Sequence, residues 1–493
     1  MKQEKVLEIF EEITKIPRES GKEEQIIAYL CKWAEEHSLK SKVDEVGNVL
    51  IEAPATPGYE GADTIVLQSH SDMVCEKNPG VEHDFAKDPI KYIIKDGWMI
   101  APDTTLGADC GIGMAAQMAA LIDKELKHGK LEALFTKSEE TGMDGANGLK
   151  EGFFSGKTLI NLDSEDDGQL FIGCAGGIDT TAKFKYTTEP ATPDYIKCEF
   201  RIDGCQGGHS GDDIDKNRAN AVRILARFLY MLYAKYDVEL YEIDGGNKVN
   251  AIARNAYAVV GFPARAKRSV VKMFTEFIAA VKAEYAISDP AINGFMGEVG
   301  VKDMKSGKIE GSPKRAVNRD TAALLVYALN AVAHGVLAMS ESMPGLVETS
   351  TNLASVKMLP GNVIVVATSQ RSSVNSARQM AANQVEACFA LAGATVTHHD
   401  KYPGWNPNTN SPILKVTEAS YRRLFNQEPV VRAIHAGLEC GLFLEKYPYL
   451  DMISFGPTLR SVHAPGERLE LATVDRFVKL LQDVIETVAE ETK

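Results

Sequence analysis

Acidic and imidazole side chains follow four short apolar runs of the sequence, at points where strands would end. The runs are TIVLQ (64–68), LEALFT (131–136), TLINL (158–162) and DMISF (451–455). The side chains that follow them are His70, Asp72, Glu139, Glu140, Asp163 and His463. Ligands of an open α/β sheet bind outside the carboxyl ends of its strands, so we expect these side chains to share one rim.

Two imidazoles and several carboxylates in one place would form a metal site of nitrogen and oxygen ligands. Such ligands suit zinc, manganese or cobalt better than copper or redox iron. Two divalent cations need a bridging negative charge, and we assign that bridge to Asp109, in the Gly-rich turn TTLGADCGIG. In the pattern His70-Ser71-Asp72, the aspartate would lie behind the imidazole and fix its tautomer and direction. The predicted metal ligands are His70, Asp109, Glu140, Asp163 and His463.

The adjacent glutamates Glu139 and Glu140 are explained if Glu140 binds a cation and Glu139 does not. Cations lower the pKa of a nearby water, and Glu139 would take its proton and pass it to a leaving amine. Taken singly, each candidate has a plainer explanation, because a histidine after a strand is usually structural and paired glutamates usually form a solvated turn. Four strand ends and the Gly-rich turn with Asp109 all supply such residues, and this coincidence favours the metal site.

The composition narrows the class of protein. The chain has 493 residues, 44% hydrophobic and 25% charged, with a net charge of -14. This composition is typical of soluble globular proteins, and the acidity disfavours nucleic acid or anionic membranes as partners. The N-terminus lacks an apolar signal segment and no apolar run could span a bilayer, so we expect a cytoplasmic protein. Eight cysteines without a CxxC pair indicate neither zinc–thiolate sites nor disulfides.

The elements that must position these residues form an α/β pattern. Two amphipathic helices open the chain, the second with Ser20 as its predicted cap, and strands then alternate with helices. After about residue 184 the pattern changes to alternating strands with helices at 218–235 and 268–284, and a similar order returns between about 320 and 400. The α/β style resumes towards the C-terminus.

We therefore predict one α/β domain built from both ends of the chain and interrupted by another. Residues 1–184 and 402–493 would form the catalytic domain, and residues 185–401 an inserted α+β domain.

The motifs together resemble those of the M20 family of dinuclear zinc peptidases. They are SHSD (69–72), Asp109, Glu139-Glu140, Asp163, GGHSG (207–211) and His463. TTLGADCGIGMA, EETGMDGA, GCAGGID, YPGW and IHAGLECG extend the likeness to the aminoacyl-histidine dipeptidases of that family. The resemblance covers nearly the whole chain and is weakest between about 255 and 365. It implies a zinc-peptidase-like mixed sheet flanked by helices, with the inserted domain as a lid.

The resemblance also implies how the metal ligands are divided. One zinc would be bound by His70, Asp109 and Asp163, and the other by Asp109, Glu140 and His463. Glu139 would be the catalytic base, and Asp72 the clamp behind His70.

Three further residues resemble substrate contacts of the family, and a fourth, Glu439, is also expected to contact the substrate. His209 in GGHSG would stabilise the oxyanion of the tetrahedral intermediate, and Asn250 in KVNAIAR would contact the substrate. Arg371 in SQRSS would hold the substrate carboxylate, for which its bidentate fork is suited. Glu439 in IHAGLECG would hold the substrate's amino group.

The favoured function is hydrolysis of unblocked dipeptides, Xaa-His among them, by a metal-activated water with a glutamate base. The cofactors would be two divalent ions, Zn2+ or else Co2+ or Mn2+. An N-acyl amino acid deacylase or a tripeptide aminopeptidase would share the same ligands. A non-catalytic metal-binding module would have lost a ligand or the base, and the sequence shows no such loss. A homodimer is compatible with the sequence, although the long insertion allows the lid histidine to act within one chain.

Overall fold

The computed structural model describes residues 1–300, 311 and 313–493. Contacts between residues divide the chain into two compact units. Unit 1 consists of Met1–Cys174, Trp405–Ala433 and Leu438–Lys493, and unit 2 of Ala175–Gly404 and Ile434–Gly437. Among the described residues, no helix combines the length and the apolar character needed to cross a membrane.

The α-helices of the described residues range in length from 4 to 22 residues. In chain order, and together with one 3-10 turn, they are α1 (Gln3–Ile13), α2 (Glu24–Glu36), α3 (Ala108–Ile122), α4 (Glu139–Gly142), α5 (Asp144–Gly148), α6 (Ala221–Tyr233), the 3-10 turn Ala264–Ala266, α7 (Lys267–Glu284), α8 (Arg319–Ala331), α9 (Asn375–Leu391), α10 (Pro412–Phe425), α11 (Glu439–Lys446) and α12 (Leu471–Thr492).

The strands of the described residues range in length from 2 to 13 residues. In chain order they are β1 (Lys40–Val43), β2 (Val49–Ala53), β3 (Ile65–His70), β4 (Ile93–Lys95), β5 (Trp98–Ile100), β6 (Leu131–Thr136), β7 (Thr158–Asn161), β8 (Gln169–Cys174), β9 (Gly176–Lys185), β10 (Thr188–Pro190), β11 (Tyr195–Asp203), β12 (Gly208–His209), β13 (Glu239–Gly245), β14 (Ala251–Ile252), β15 (Ala256–Pro263), β16 (Asn293–Glu298), β17 (Arg315–Val317), β18 (Gly335–Met339), β19 (Val347–Leu359), β20 (Val363–Ser372), β21 (Thr395–Tyr402), β22 (Val430–Ile434), β23 (Asp451–Ser454), β24 (Leu459–Arg460) and β25 (Arg468–Glu470).

Unit 1 is built on an eight-stranded mixed sheet in the order β1-β2-β6-β3-β7-β23-β8-β22. The central strands β6, β3, β7 and β23 are parallel, whereas β2 joins β6 and β8 joins β23 in antiparallel fashion. Every residue of β3 and β6 is buried, which is typical of parallel strands covered on both faces. The mixed α/β fold predicted from the sequence is confirmed. Because the parallel strands end at one edge, the residues that follow them come together there.

Helix α3 packs against the sheet through small side chains. All its residues from Cys110 to Leu121 are buried. A Cβ added at Gly113 would lie 2.7 Å from the carbonyl oxygen of Leu162, which follows β7. Only glycine allows this close approach, and it brings the first turn of α3, with Asp109, to the ends of the strands.

The predicted cap of the second helix is wrong. Helix α2 begins at Glu24, after Glu23, and the Ser20 hydroxyl instead donates to the carbonyl oxygen of Met73 at 3.3 Å. The reason is a β-bridge between Glu19 and Met73, which holds this segment extended before the helix starts.

Unit 2 contains a nine-stranded sheet whose main path is β16-β11-β15-β13-β19-β20-β9-β21, with β18 paired to β19. All these pairings are antiparallel. Helices α6 to α9 pack on the sheet over one continuous apolar core. In that core the Phe200 ring lies 4.7 Å from Phe228 and 5.1 Å from Phe274. The order of helix, strands and helix occurs twice, in α6 to α7 and again in α8 to α9.

The boundaries between the units differ from those expected for the domains. The units divide after Cys174 and Gly404, whereas the sequence placed the divisions after residues 184 and 401. Strand β9 accounts for the first difference, because it pairs with β20 and β21 and so belongs to the sheet of unit 2. The assignment of residues 185–401 to an inserted lid domain stays a prediction.

Candidate metal centre and active site

The first group of predicted ligands surrounds His70, the last residue of β3. Its Nε2 atom lies 3.0 Å from Oδ1 of Asp109 and 3.3 Å from Oδ1 of Asp163. Asp109 lies in the first turn of α3 with extended backbone angles, and Asp163 lies two residues beyond β7. Oδ1 of Asp163 is buried and has no hydrogen-bond partner among the described residues.

The second group surrounds His463, in the loop after β24. Its Nε2 atom lies 3.0 Å from Oδ2 of Asp109 and 2.9 Å from Oε2 of Glu140. Glu140 is in the short helix α4, directly beyond β6. The two carboxylate oxygens of Asp109 therefore face different histidines, which is the arrangement expected of a bridging ligand. We call the five residues His70, Asp109, Glu140, Asp163 and His463 the metal-ligand cluster.

The donor set of the metal-ligand cluster fits divalent cations. Each imidazole nitrogen carries at most one hydrogen, yet Nε2 of both His70 and His463 faces two carboxylates. Ligand atoms of His70, Asp109 and Glu140 can all lie within 4.8 Å of one another. A cation in each group would satisfy the converging lone pairs, and mixed imidazole and carboxylate ligands suit zinc and similar ions.

The charges of the cluster are strongly coupled. Burial disfavours a charged His70, but the neighbouring carboxylates, Asp163 first, hold the pKa of His70 well above its ordinary value. Hydrogen bonds to Asp109 and Glu140 raise the pKa of His463 to about 11. Burial raises the pKa of Asp163 to about 6, whereas the two histidines outweigh burial at Asp109 and lower its pKa. The cluster therefore concentrates opposite charges in a largely buried place.

Asp72 contacts both the His70 imidazole and the backbone of the glutamate pair. Its Oδ1 atom lies 3.2 Å from Nδ1 of His70, and its two oxygens accept the backbone N–H groups of Glu139 (3.0 Å) and Glu140 (3.2 Å). Although burial opposes its ionisation, hydrogen bonding to His70 and the other donors lowers the pKa of Asp72 to about 2. One carboxylate thus contacts the His70 imidazole and holds the backbone of the glutamate pair.

The surroundings of Glu139 disfavour its ionised form. Burial, together with the nearby charges of Asp163, Glu439 and Glu140, raises the pKa of Glu139 well above its ordinary value, against the opposing charge of His70. A carboxyl group with a raised pKa is suited to accept and return a proton near neutral pH.

Two residues that the sequence did not reveal, Glu467 and Arg18, hold the backbone around Asp109. Glu467 accepts the backbone N–H groups of four consecutive residues at 2.7, 3.0, 2.8 and 3.3 Å, namely Leu106, Gly107, Ala108 and Asp109. Arg18 is almost fully buried and donates to the carbonyl oxygens of Asp72, at 2.6 Å, and Gly107. Glu467 and Arg18 both bind backbone groups that are distant in sequence, and no motif of side-chain types records such contacts. The one signal in the sequence is a charged residue without an evident role, beside Pro17 in one case and near His463 in the other.

Glu439 is buried in unit 1 beside the metal-ligand cluster. Its Oε2 atom accepts from Nε2 of Gln68 and from the hydroxyl of Thr136, both at 2.7 Å. Oε1 is buried without a hydrogen-bond partner in the part of the chain that the structure describes. Burial raises the pKa of Glu439 to about 8, although the charge of His70 opposes this shift.

His209 and Asn250 meet in unit 2. His209 ends β12, which pairs with β14 so that it lies opposite Ala251, and the N–H of Ser210 donates to the carbonyl oxygen of Asn250 at 2.9 Å. Nδ1 of His209 lies 3.3 Å from Oδ2 of Asp212. The Asn250 residue is exposed.

Arg371 lies in β20 of unit 2 and is buried. One Nη donates to the Tyr402 hydroxyl at 3.0 Å, while Nε has no hydrogen-bond partner in residues 1–300, 311 and 313–493. Its neighbour His435 had no role assigned from the sequence, although the motif IHAGLECG contains it. Nε2 of His435 lies 2.7 Å from the hydroxyl of Ser350, and burial together with the charge of Arg371 lowers its pKa to about 4.

Comparisons with known proteins identify relatives of this chain. Among protein families, Peptidase family M20/M25/M40 matches residues 66–487. The chain is 38% identical, over 98% of its length and 97% of the relative's, to the cytosol non-specific dipeptidase of Escherichia coli (strain K12). The crystal structure of an aminoacylhistidine dipeptidase from Vibrio alginolyticus matches with a TM-score of 0.90 and 38% identity, covering 98% of this chain and 96% of that one. A tripeptidase from Staphylococcus aureus, at 16% identity and a TM-score of 0.57, covers 99% of both chains and shares the fold. The chain belongs to Peptidase family M20/M25/M40.

Proposed function

We propose that this protein is a metallopeptidase that hydrolyses unblocked dipeptides, Xaa-His among them. The observation that carries the proposal is the Asp109 carboxylate, whose oxygens lie 3.0 Å from one imidazole on each side. Two-metal hydrolysis requires two groups of nitrogen and oxygen ligands that share one carboxylate. It also requires a nearby group that transfers protons, and Glu139 lies beside the cluster.

The metal-ligand cluster would hold two cations. His70, Asp109 and Asp163 would bind one, and Asp109, Glu140 and His463 the other. When bound, the pair would polarise the scissile carbonyl and lower the pKa of a water molecule. Zn2+ is the ion we propose, and Co2+ or Mn2+ would accept the same ligands.

Glu139 is the proposed general base and acid. Its carboxylate takes a proton from the attacking water, whose oxygen forms a bond to the scissile carbonyl carbon. As the C–N bond breaks, Glu139 returns this proton to the leaving nitrogen, so water is added across the bond. The hydrogen bond from the Glu139 N–H to Asp72 holds the base in position.

The substrate contacts are proposed as the resemblance implied them. His209 would stabilise the oxyanion and Asn250 would contact the substrate. Arg371 would bind the substrate carboxylate, and its buried Nε, without a hydrogen-bond partner among the described residues, supports this role. Glu439 would bind the substrate's ammonium group through its open Oε1 atom.

The relatives support the substrate class. The Escherichia coli protein is named a cytosol non-specific dipeptidase, and the Vibrio alginolyticus protein an aminoacylhistidine dipeptidase. On this basis we propose dipeptides as substrates and the cytoplasm as the location. Homodimer formation stays a prediction.

A substrate panel tests the proposed function. The purified protein, loaded with Zn2+, is assayed against Xaa-His and other dipeptides, tripeptides and N-acyl amino acids. We expect the highest kcat/KM for unblocked dipeptides, and a preference for tripeptides or acylated amino acids would contradict the proposal. Glu139→Gln should retain both metals and lose turnover. The matched control Glu151→Gln, at an exposed position, should leave turnover unchanged. Substantial activity of the Glu139 variant would contradict its assignment as the base.

A further inference from the structure

A row of three buried polar side chains, two amides and one hydroxyl, crosses the parallel strands β3, β7 and β23. Gln68 on β3 pairs in register with Asn161 on β7, and Asn161 pairs with Ser454 on β23. Nδ2 of Asn161 donates to Oε1 of Gln68 at 2.6 Å, and the Ser454 hydroxyl donates to Oδ1 of Asn161 at 2.5 Å. All three side chains are almost completely buried. Burying polar side chains costs free energy unless they are hydrogen-bonded, and each of these three side chains has a hydrogen-bond partner.

The direction of the hydrogen bonds in this row is fixed from one end. The backbone N–H of Asp163 donates to Oδ1 of Asn161 at 3.4 Å, and a backbone N–H cannot accept. Oδ1 of Asn161 therefore faces Asp163, and Nδ2 faces Gln68. Consequently Oε1 of Gln68 faces Asn161, and its Nε2 is directed to Glu439.

The far end of the row fixes Glu439. Nε2 of Gln68 donates to Oε2 of Glu439 at 2.7 Å and to the hydroxyl of Thr136 at 3.1 Å, while Thr136 donates to the same Oε2. Two donors thus hold one carboxyl oxygen. Oε1, the other, stays buried and without a hydrogen-bond partner within the described residues. A buried oxygen without a donor is unfavourable unless a ligand supplies one.

We propose that Gln68 is a positioning residue for the substrate's ammonium group. Through the row that starts at the backbone of Asp163, it holds the Glu439 carboxyl so that Oε1 is open to an N–H donor. The inference rests on the proposed function, in which Glu439 receives that group. It adds that the preference for an unblocked amine depends on an uncharged side chain two residues before the ligand His70.

Gln68→Met tests this role, because methionine has a similar length and cannot donate. We expect KM for an unblocked dipeptide to rise about tenfold, with kcat within about threefold of the wild type, since about 1.4 kcal/mol of lost binding corresponds to a factor of ten. The ratio of kcat/KM between the free and N-acetylated dipeptide should fall by a similar factor. Metal content should be unchanged.

Gln117→Met is the matched control. Gln117 is as buried as Gln68, but neither amide atom has a hydrogen-bond partner in the described part of the chain. Gln117→Met should therefore leave KM unchanged, as well as the ratio of kcat/KM between the free and the N-acetylated dipeptide. If both variants change KM alike, or if Gln68→Met lowers kcat and metal content with the ratio intact, Gln68 has only a structural role and the inference is wrong.

A double-mutant cycle with Glu439→Gln separates the inference from the proposed function. Gln68→Met should have little further effect on KM once Glu439 is replaced, because the group that it positions is gone. Additive effects would contradict the inference. If the wild type does not hydrolyse unblocked dipeptides, the proposed function is wrong. If the wild type does so and Gln68→Met prefers the free over the N-acetylated dipeptide as strongly as the wild type, only the inference about Gln68 is wrong.

Discussion

Replacing Glu467 by glutamine should loosen the turn that carries Asp109, the bridging ligand that we propose. Oε2 of Glu467 accepts two backbone N–H groups at 2.7 and 3.0 Å, and Oε1 accepts two more at 2.8 and 3.3 Å. Glutamine retains one oxygen, so two of these donors keep an acceptor and the other two face an NH2 group. The substitution changes one atom and leaves the volume of the side chain nearly the same.

The magnitude follows from the two lost hydrogen bonds. A hydrogen bond to a charged group contributes about 1.5–3 kcal/mol, so the free energy of unfolding should fall by about 3–6 kcal/mol. This is a large fraction of the stability of a typical domain. Because Asp109 is among the four residues held, the affinity for Zn2+ should fall as well.

Urea unfolding of the metal-free protein, followed by tryptophan fluorescence, measures the effect. The three tryptophans, Trp33, Trp98 and Trp405, all lie in unit 1, so the signal reports on the unit that contains Glu467. Glu151→Gln, at an exposed position, is the matched control and should unfold like the wild type. A loss of less than about 1 kcal/mol in the Glu467 variant, with unchanged Zn2+ affinity, would refute the idea that this carboxylate holds the turn.

Three further predictions concern the metals, acid stability and the substrate carboxylate. Chelation should abolish turnover and lower the melting temperature seen by tryptophan fluorescence, and Zn2+ at about 100 times its Kd should restore about 2.7 kcal/mol of stability; an unchanged melting temperature would contradict the metal site. Because the pKa of His435 is lowered to about 4 in the folded protein, its contribution to stability is complete above about pH 6.5 and is lost as the pH falls towards 4. Calorimetry of His435→Gln should show a shallower loss of stability over that range, by at most about 1.4 kcal/mol per pH unit, and an equal slope would contradict this. Arg371→Lys should raise KM for dipeptides about tenfold or more without a similar effect on their C-terminal amides, since lysine lacks the bidentate fork.

That the members of the metal-ligand cluster lie close together was predictable from the sequence, because four of the five follow apolar strands; their role as metal ligands stays a prediction. In a parallel sheet the strand ends lie at one edge, so the chain order of His70, Glu140 and Asp163 already implies their proximity. The alternation of strands and helices predicted the α/β class, and the family resemblance implied the mixed sheet. The units of the structure and the predicted domains have different bounds because β9 pairs with β20 and β21, and strand pairing is not visible in the sequence.

The residues that could not be found from the sequence contact backbone atoms rather than ligands. Glu467 is 361 residues from Leu106, and its carboxylate recognises N–H groups that every residue but proline carries. No pattern of side-chain types records such a contact. Asp72 shows the same limit, because its spacing from His70 predicted one contact, whereas its hydrogen bonds to the N–H groups of Glu139 and Glu140 left no trace in the sequence.

These backbone contacts indicate how the centre is organised before any cation binds. Asp72 fixes the glutamate pair, and Glu467 with Arg18 fixes the turn before Asp109, through groups that are not themselves in the metal-ligand cluster. Ligands held by buried second partners need little rearrangement on binding, so less of the binding energy is spent on ordering them. It follows that chelation and Glu467→Gln should weaken the centre differently. Chelation should leave the turn in place and be reversed by Zn2+, whereas the Glu467 variant should bind Zn2+ weakly however the cation is supplied.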